Sequence, residues 1–312
     1  MTMKTWTLEV GDLFRHIGIV KTGLVEMNEN TYDFDPKNPK DSWLYPVFLG
    51  LQELRRQGFK PQSFATIGTG SGIDSIGVYE LFHPKEIYQI DTHPNVPEIA
   101  HKNAQTLIGA GANIETFLGD LCQPLIEKGI KVDLVYANIP NIPSQGSVFD
   151  KKVAASQFIE RDPEDCPEIF QKWFLTLQYL FLKQAKQVVN PGGVVVDAIG
   201  VRVPYEFLEQ LFTSNGYKVE ELISMYKIQS EPEDTLQEYS QHEYSVGIEF
   251  DFYDHEKAWP FWQEKFEGKK LTTPQLKEAL KPFRISATQA FSAFKKEGKQ
   301  AGHICSILKG VL

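Results

Sequence analysis

The chain has 312 residues, of which 42% are hydrophobic and 12% aromatic, so it is long enough to bury a large core. Acidic side chains outnumber basic ones by 41 to 32, and the net charge of -9 disfavours a nucleic acid as partner. Because the three cysteines lack disulfide or metal-ligand spacing and no apolar run approaches the roughly 20 residues of a membrane span, we expect a cytoplasmic protein without disulfides, metal or membrane segment.

The N-terminal part of the chain is predicted to end in one helix. The cluster "YDFDPKNPKDSW" is typical of turns, and "WLYPVFLGLQELRRQGFKP" carries apolar residues at helical spacing. Gly58 and Pro61 follow and give the stop signal of a helix.

From Ser63 onward, strand-like runs alternate with amphipathic helices. These runs are "FATIGTGSG", "SIGVYELFHP", "EIYQIDTHP", "VPEIAHKNAQTLIGAGA", "IETFLGD", "VDLVYANIP", "WFLTLQYLFLKQAKQVV" and "GGVVVDAIG". Short strands that alternate with helices of this length predict βαβ units. The fold class is therefore α/β, with a doubly wound, mostly parallel sheet and helices on both faces.

The C-terminal part is predicted to add elements to this sheet. After a helix in "VPYEFLEQLFTSNGY", the runs "KVEELISMYKIQS" and "HEYSVGIEFDFYD" are predicted strands, and "SEPEDTLQEYSQHEY" is predicted to be a solvated loop. Two helix-like pieces, "TPQLKEALKPF" and "ATQAFSAFKKEG", precede a strand-like "HICSILKGVL". We interpret this last region as an elaboration whose final strand returns to the core.

The first loop of the predicted sheet, "IGTGSGIDSIG", contains Gly68, Gly70 and Gly72. Glycines let the backbone turn tightly and approach a ligand, and the start of the next helix supplies free N–H groups. The register is G-x-G-x-G, whereas a dinucleotide fingerprint needs G-x-G-x-x-G. The loop resembles motif I of the class I S-adenosylmethionine-dependent methyltransferases, although Thr66 stands where that family usually has an acid. The resemblance implies that Thr66 and the three glycines bind S-adenosylmethionine.

The next two strands each end in a carboxylate. Asp91 follows "IYQI" about 20 residues beyond the glycines, where a carboxylate accepts from both ribose hydroxyls, although it could also cap a helix. In "FLGDLCQPL", the resemblance implies that Asp120 and Leu121 contact the adenine. We therefore predict a cofactor site at the carboxyl ends of successive strands.

The fourth strand ends in "ANIPN", which resembles the Asn-Pro-Pro-Tyr loop of N-methyltransferases, including the release-factor glutamine methyltransferases. Asn138 and Pro140 match that loop, whereas Ile139 and Asn141 depart from it. The resemblance implies that Asn138, Pro140 and Asn141 form the catalytic loop and that Asn138 also lies against the cofactor. The missing aromatic ring at position 141 disfavours a planar protein-glutamine amide as acceptor.

A resemblance to the methyltransferase module of methionine S-methyltransferases spans roughly Asp41 to Leu308. That module has an Ile-Pro-Gln-Ile-type loop, to which residues 139–142 are similar. The segments "PKDSWLYPVFLGL" upstream and "HICSIL" downstream resemble segments that occur in the same order in that module. The resemblance implies methyl transfer to the sulfur of methionine. A thioether has no proton to lose, so this reaction needs alignment and no general base.

An amino-acid acceptor needs a partner for its carboxylate. Arg202, just past the fifth strand, is our candidate because a guanidinium matches a carboxylate bidentately, although it could also lie on a solvated loop. Tyr45 and Tyr244 are further candidates for contact with the substrate. Trp43 and Tyr45 could cover the cofactor as a lid, or they could belong to the core.

Three regions and one function follow from these patterns. Residues 1–60 are assigned to a segment that covers the cofactor site, 61–254 to the methyltransferase core and 255–312 to the C-terminal elaboration. The function is methyl transfer from S-adenosylmethionine to a small amino-acid-like acceptor, with methionine sulfur as the leading acceptor. The alternative is transfer to an amide, amine or heteroaromatic nitrogen of a small metabolite or of a protein glutamine. A nicotinamide-dependent oxidoreductase and a non-catalytic binding module remain open, and the patterns do not indicate an oligomeric state.

Overall fold

The computed structural model describes residues 4–31, 34–35, 38–141 and 165–312 of the chain. The strands are β1 (Thr5–Glu9), β2 (Leu24–Asn28), β3 (Ser63–Ile67), β4 (Glu86–Asp91), β5 (Asn113–Leu118), β6 (Val132–Ala137), β7 (Val189–Val201), β8 (Lys218–Ile228), β9 (Phe252–Asp254), β10 (Arg284–Ile285) and β11 (Ala301–Val311). The helices are α1 (Gly11–His16), α2 (Leu44–Arg56), α3 (Ile73–Phe82), α4 (Val96–Ile108), α5 (Gln123–Lys128), α6 (Glu168–Lys172), α7 (Thr176–Val188), α8 (Tyr205–Ser214), α9 (Pro232–Val246), α10 (His255–Phe266), α11 (Thr273–Leu280) and α12 (Ala287–Glu297).

The main sheet has the strand order β5-β4-β3-β6-β7-β11-β8. The first five strands of this order pair in parallel, and β11 is antiparallel to both β7 and β8. The short strands β9 and β10 extend the sheet beside the start of β11, while β1 and β2 form a separate antiparallel pair. The doubly wound, mostly parallel sheet predicted from the sequence is confirmed.

The central strands are covered on both faces, which explains their continuous apolar sequences. Every residue of β3 is buried, and β6 alternates between two separate clusters of core residues. Val135 and Ala137 belong to one cluster, which includes residues of α7 and α8. Leu134 and Tyr136 belong to the other, which includes residues of α2 and α3.

The segment between β8 and β9 differs from its sequence prediction. A solvated loop was predicted for "SEPEDTLQEYSQHEY", but residues 232–246 form α9, with Leu236, Tyr239 and Glu243 buried. Pro232 at the first helical position and the left-handed Gly247 after the last turn are ordinary helix boundaries. Because α9 takes up the first half of "HEYSVGIEFDFYD", the strand predicted there was wrong except for its last residues, which form β9.

Glu243 joins α9 to α12 across this region. Its carboxylate accepts hydrogen bonds from the backbone N–H groups of Phe250 at 2.7 Å, Ala287 at 2.9 Å and Thr288 at 2.9 Å. The Thr288 hydroxyl donates a fourth bond at 2.8 Å. A buried carboxylate therefore satisfies free donors at the beginning of α12, where the helix dipole favours negative charge.

The final strand lies inside the sheet, between β7 and β8. Its residues from Ala301 to Leu308 are all buried, and both of its edges are paired. Among the helices of the described residues, none has the length and apolar character that a membrane-spanning helix needs.

Candidate active site

The carboxyl ends of β3, β6, β7 and β8 lead into one cleft with about 920 Å³ of space, its open mouth included. Ligands of open α/β sheets bind at this edge of the sheet. The cleft is lined by Trp43, Leu44, Gly68, Thr69, Gly70, Ser71, Ile73, Asp74, Asn138, Ile139, Pro140, Asn141, Arg202, Gln229, Ser230, Glu231 and Thr235. It therefore joins the predicted glycine loop, the predicted catalytic loop and Arg202.

The glycine loop takes backbone conformations that favour glycine at all three positions. Gly68, Gly70 and Gly72 have φ angles of 72°, 53° and 80°. A Cβ atom at Gly72 would lie 2.8 Å from the carbonyl oxygen of Ala100, so this glycine allows α3 and α4 to pack closely. A Cβ atom at Gly70 would meet no protein atom within 4 Å, so this glycine borders the open space of the cleft.

Asp91, at the end of β4, braces the glycine loop from the neighbouring strand. Its carboxylate accepts from the backbone N–H of Gly70 at 3.1 Å and of His93 at 3.0 Å. Burial raises the pKa of Asp91, and these two hydrogen bonds act in the opposite direction. Each carboxylate oxygen retains a lone pair, so each can accept a further hydrogen bond.

Asp120 and Leu121 follow β5, directly beside Asp91. The backbone N–H of Gly119 donates to the Asp91 carbonyl at 2.9 Å, and Leu121 is buried with a φ of 46°. The structure thus brings these predicted cofactor residues to adjacent strand ends, although none of them lines the cleft itself.

Thr66 is a further cofactor candidate that does not line the cleft. It lies within β3, is fully buried and does not line the cleft. Strand alternation places its side chain on the face of Phe64, below the loop. Its hydroxyl has no hydrogen-bond partner in the part of the chain that the structure describes.

The two asparagines of the loop after β6 have different surroundings. The side-chain amide of Asn141 donates to the Gly200 carbonyl at 2.7 Å and accepts from Arg202 at 3.2 Å, while its backbone carbonyl accepts from the Tyr239 hydroxyl. Asn138 is partly exposed in the cleft, and its amide forms no hydrogen bond with any described residue. Asn138 is therefore the asparagine available to a ligand, and Asn141 fixes the loop. Residue 142, the last of the four predicted loop residues, lies outside the described residues.

Arg202 is a buried wall residue rather than part of a solvated loop. Its side chain is 2% exposed and lies 5.3 Å from the ring centroid of Tyr239. Its Nε and Nη2 atoms donate to Gln229 Oε1 at 3.2 and 2.6 Å, Nη1 donates to Asn141, and Nη2 lies 3.2 Å from His303 Nε2. The Tyr239 hydroxyl is a further hydrogen-bond partner of this guanidinium, whose pKa is lowered by burial.

A second buried cation lies behind this wall. Lys227 is 3% exposed, and its ammonium donates to the Ile228 carbonyl at 3.2 Å and to the Ser230 hydroxyl at 3.1 Å. Burial lowers the pKa of Lys227 to about 8. Burial and both cations hold the pKa of His303 well below its usual range. Within the described ranges, neither Lys227 nor Arg202 forms a salt bridge with a carboxylate, and both donate hydrogen bonds to neutral groups.

The two tyrosine candidates do not line the cleft. Tyr45 is half-buried on α2, and burial raises its pKa, whereas its neighbours Trp43 and Leu44 do line the cleft. The prediction for Tyr244 is corrected, because this side chain is 94% exposed on α9. Helical spacing turns it away from the face that buries Tyr239.

The sequence patterns missed several residues of the cleft. They are Asp74, Gln229, Ser230, Glu231 and Thr235. Asp74 had a usable signal, because a carboxylate two residues beyond a glycine loop falls in the first turn of the next helix. The other four residues had no such signal, because the sequence around them was predicted only as the end of a strand and a solvated loop.

The sheet order, the glycine loop and the sequence relatives support a class I S-adenosylmethionine-dependent methyltransferase, with S-adenosylmethionine as cofactor. The chain is 29% identical over 183 residues to the release factor glutamine methyltransferase of Bacillus anthracis, covering 54% of this chain and 62% of that protein. It is 23% identical over 208 residues to the methionine S-methyltransferase of Zea mays, covering 59% of this chain and 19% of that protein. The matches therefore span less than two thirds of these relatives.

The chain was also compared with family models and with solved structures. No family model matches the sequence. The solved ribosomal protein L11 methylase of Lactobacillus delbrueckii subsp. bulgaricus is 20% identical with a TM-score of 0.39, over 58% of this chain and 72% of that one.

Proposed function

We propose that this chain transfers a methyl group from S-adenosylmethionine to a free amino acid, with the thioether sulfur of methionine as the leading acceptor and S-methylmethionine as product. The observation that carries the acceptor is the buried Arg202, which lines the cleft without a carboxylate partner among the described residues. A buried cation without counter-charge costs free energy, and a bound carboxylate would offset that cost. Lys227 adds to the same positive wall.

The residues at the strand ends fit the proposed cofactor. Bound S-adenosylmethionine supplies a methyl group on a sulfonium, which is an electrophile for a neutral sulfur. The open space at Gly70 admits a ligand to the loop, and Asp91 offers carboxylate oxygens to a ribose. Asp120 and Leu121 stand at the next strand end, where an adenine would lie.

The loop after β6 would hold the acceptor. Asn138 presents an amide that can both donate and accept hydrogen bonds, and Pro140 limits the backbone freedom of the loop. Since a thioether sulfur needs no general base, these residues act by aligning the acceptor and excluding water. Asn141 would act indirectly, by fixing the loop, because its side-chain amide is hydrogen-bonded to Gly200 and Arg202.

The alternative acceptor is a nitrogen, including the side-chain amide of a protein glutamine. It is favoured by the 29% identity with a release factor glutamine methyltransferase and by the matching Asn138 and Pro140. Against it, position 141 holds a buried asparagine, so the loop offers no aromatic ring there to stack on a planar amide.

The two functions are separated by offering different acceptors to the enzyme with methyl-labelled S-adenosylmethionine. We expect label in S-methylmethionine when L-methionine is offered. L-methioninamide, which lacks the carboxylate, should show a kcat/KM lower by about 10-fold or more, the value of one charge-assisted hydrogen bond. Label in a release-factor protein but not in methionine would instead support the alternative. If calorimetry detected no binding of S-adenosylhomocysteine, the methyltransferase function itself would be rejected.

A further inference from the structure

The cleft carries opposite charges on its two sides. Arg202 lies at the end of β7, whereas Asp74 lies beside the glycine loop, in the first turn of α3. Asp74 is only 6% exposed but still lines the cleft. Among the described residues, Glu231 is the other carboxyl group that lines the cleft, and its side chain is exposed. Asp74 is therefore the buried carboxyl group that the described residues place next to the loop that would hold the cofactor.

We propose that Asp74 binds the ammonium group of the amino-acid moiety of S-adenosylmethionine, an inference that rests on the proposed methyltransferase function. The motif I pattern would place an acid at position 66, but Thr66 is neutral and lies inside β3, away from the cleft. Asp74 supplies a carboxylate from the other side of the same loop. A charge-assisted hydrogen bond between ammonium and carboxylate is among the strong ones in proteins.

The burial of Asp74 and its position at the start of a helix favour the binding of a cation there. Burial raises its pKa to about 7, with the neighbouring Tyr136 hydroxyl acting in the opposite direction. A buried carboxylate is costly to ionise alone, and a bound ammonium would favour the ionised form. The helix start at Ile73 also favours a negative charge at this position.

A purely structural role for Asp74 is the competing explanation, since it lies close to the buried Tyr136. Asp74→Asn and Tyr136→Phe separate the two roles, because the first removes the charge and keeps the shape, while the second removes the hydroxyl and keeps the carboxylate. Calorimetry with S-adenosylhomocysteine and with 5′-methylthioadenosine, which lacks the amino-acid moiety, separates an effect at that moiety from an effect at the adenosine part.

We expect D74N to weaken S-adenosylhomocysteine binding by about 10- to 100-fold, as for the loss of a charged hydrogen-bond partner, and to change 5′-methylthioadenosine binding by less than about 2-fold. Y136F should leave both affinities within about 2-fold. An equal loss for both ligands in D74N, or no loss for either, would overturn the inference.

A second variant covers the case in which D74N does not fold. Asp74→Glu keeps the charge but moves it by one methylene, and it should also weaken S-adenosylhomocysteine selectively. Equal effects on the two ligands would count against the inference. Failure of the wild-type chain to bind S-adenosylhomocysteine would reject the proposed function, whereas wild-type binding that D74N leaves unchanged would reject only the role of Asp74.

Discussion

Asn138 and Asn141, in the loop after β6, have different surroundings. Asn141 is held by Gly200, Arg202 and the hydroxyl of Tyr239, whereas the amide of Asn138 lines the cleft and forms no hydrogen bond with any residue that the structure describes. A loop that must present one group in a fixed position needs another group to fix it. We therefore propose that Asn138 contacts the ligand and that Asn141 supports the loop.

The substitution Asn138→Ala tests this division. We expect kcat to fall by about 100-fold, comparable to the loss of one preorganised polar contact to a reacting group. Affinity for S-adenosylhomocysteine should stay within about 3-fold, because the glycine loop and Asp91 are unchanged. Steady-state kinetics and calorimetry give the two values.

Asn141→Ala provides the comparison. It leaves the Gly200 carbonyl and one Arg202 N–H without their protein partner, so it should lower the free energy of unfolding by about 1–3 kcal/mol as well as the activity. An Asn138→Ala enzyme with full turnover would show that the loop presents some other group to the acceptor.

The pKa of Asp74 gives a pH dependence with a defined sign. Because burial raises this pKa to about 7, the carboxyl group of the free protein is protonated below that pH. A bound ammonium favours the carboxylate, so affinity for S-adenosylhomocysteine should rise as the pH increases from 6 toward 8. Burial raises the pKa of Tyr136, beside Asp74, well above 10, so its hydroxyl stays neutral over this range. Among the other described residues that line the cleft, burial raises the pKa of Glu231 and lowers that of Arg202.

Calorimetry across this range checks the prediction with two controls. Binding of S-adenosylhomocysteine by D74N, and binding of 5′-methylthioadenosine by the wild type, should both be nearly independent of pH. A wild-type profile that is flat, or one that D74N reproduces, would show that Asp74 does not titrate on binding.

The sequence predicted the strand-end residues better than the wall residues. Asp91, Asp120 and Asn138 each follow an apolar strand, and parallel strands end at one edge of a sheet, so their shared location could be inferred. The partners of Arg202 could not, because Gln229 and His303 are distant in sequence and meet it only through tertiary packing. A guanidinium on a short loop looks the same in sequence whether it is buried or solvated.

At the scale of elements, α9 shows where pattern reasoning fails. Its sequence is polar and acidic, with few apolar residues to reveal a helical stripe, so a loop was the expectation. The helix is stabilised instead by contacts with α12 and by the buried carboxylate of Glu243, which bonds to groups of two other segments. The sequence does not reveal these hydrogen-bond partners, because folding brings them together.

Glu243→Ala is predicted to destabilise this region strongly. The change leaves the N–H groups of Phe250 and Ala287, both buried, without an acceptor. The free energy of unfolding should fall by about 2–3 kcal/mol. Urea denaturation followed by circular dichroism measures it.

Glu233→Ala, on the same helix, is the matched control. Glu233 pairs with Lys295 at 2.7 Å on the exposed surface, so its loss should cost less than about 1 kcal/mol. Equal costs for the two variants would mean that the hydrogen bonds of Glu243 add little to the stability of the helix pair.

At the scale of the whole molecule, hydrogen bonds connect the N-terminal pair β1–β2 to the glycine loop. The amide of Asn103, on α4, donates to the carbonyl of Glu26 at 2.7 Å and to the carbonyl of Ser71 at 2.9 Å, and it accepts from the N–H of Glu26 at 2.8 Å. One side chain thus links β2, α4 and the glycine loop. Movement of the N-terminal segment would reach the loop through this link.

The position of β11 also affects how the chain reaches its fold. Strand β7 pairs with β6 on one edge and with β11 on the other, and the second pairing, for example Val201 with Ile304, spans five helices and three strands of intervening sequence. Pairings so far apart in sequence form slowly. Until they form, β7 and β8 each expose an unpaired edge that another chain could join. Refolding from denaturant should therefore yield less native protein as the chain concentration rises, because intermolecular strand pairing competes with the arrival of the last strand.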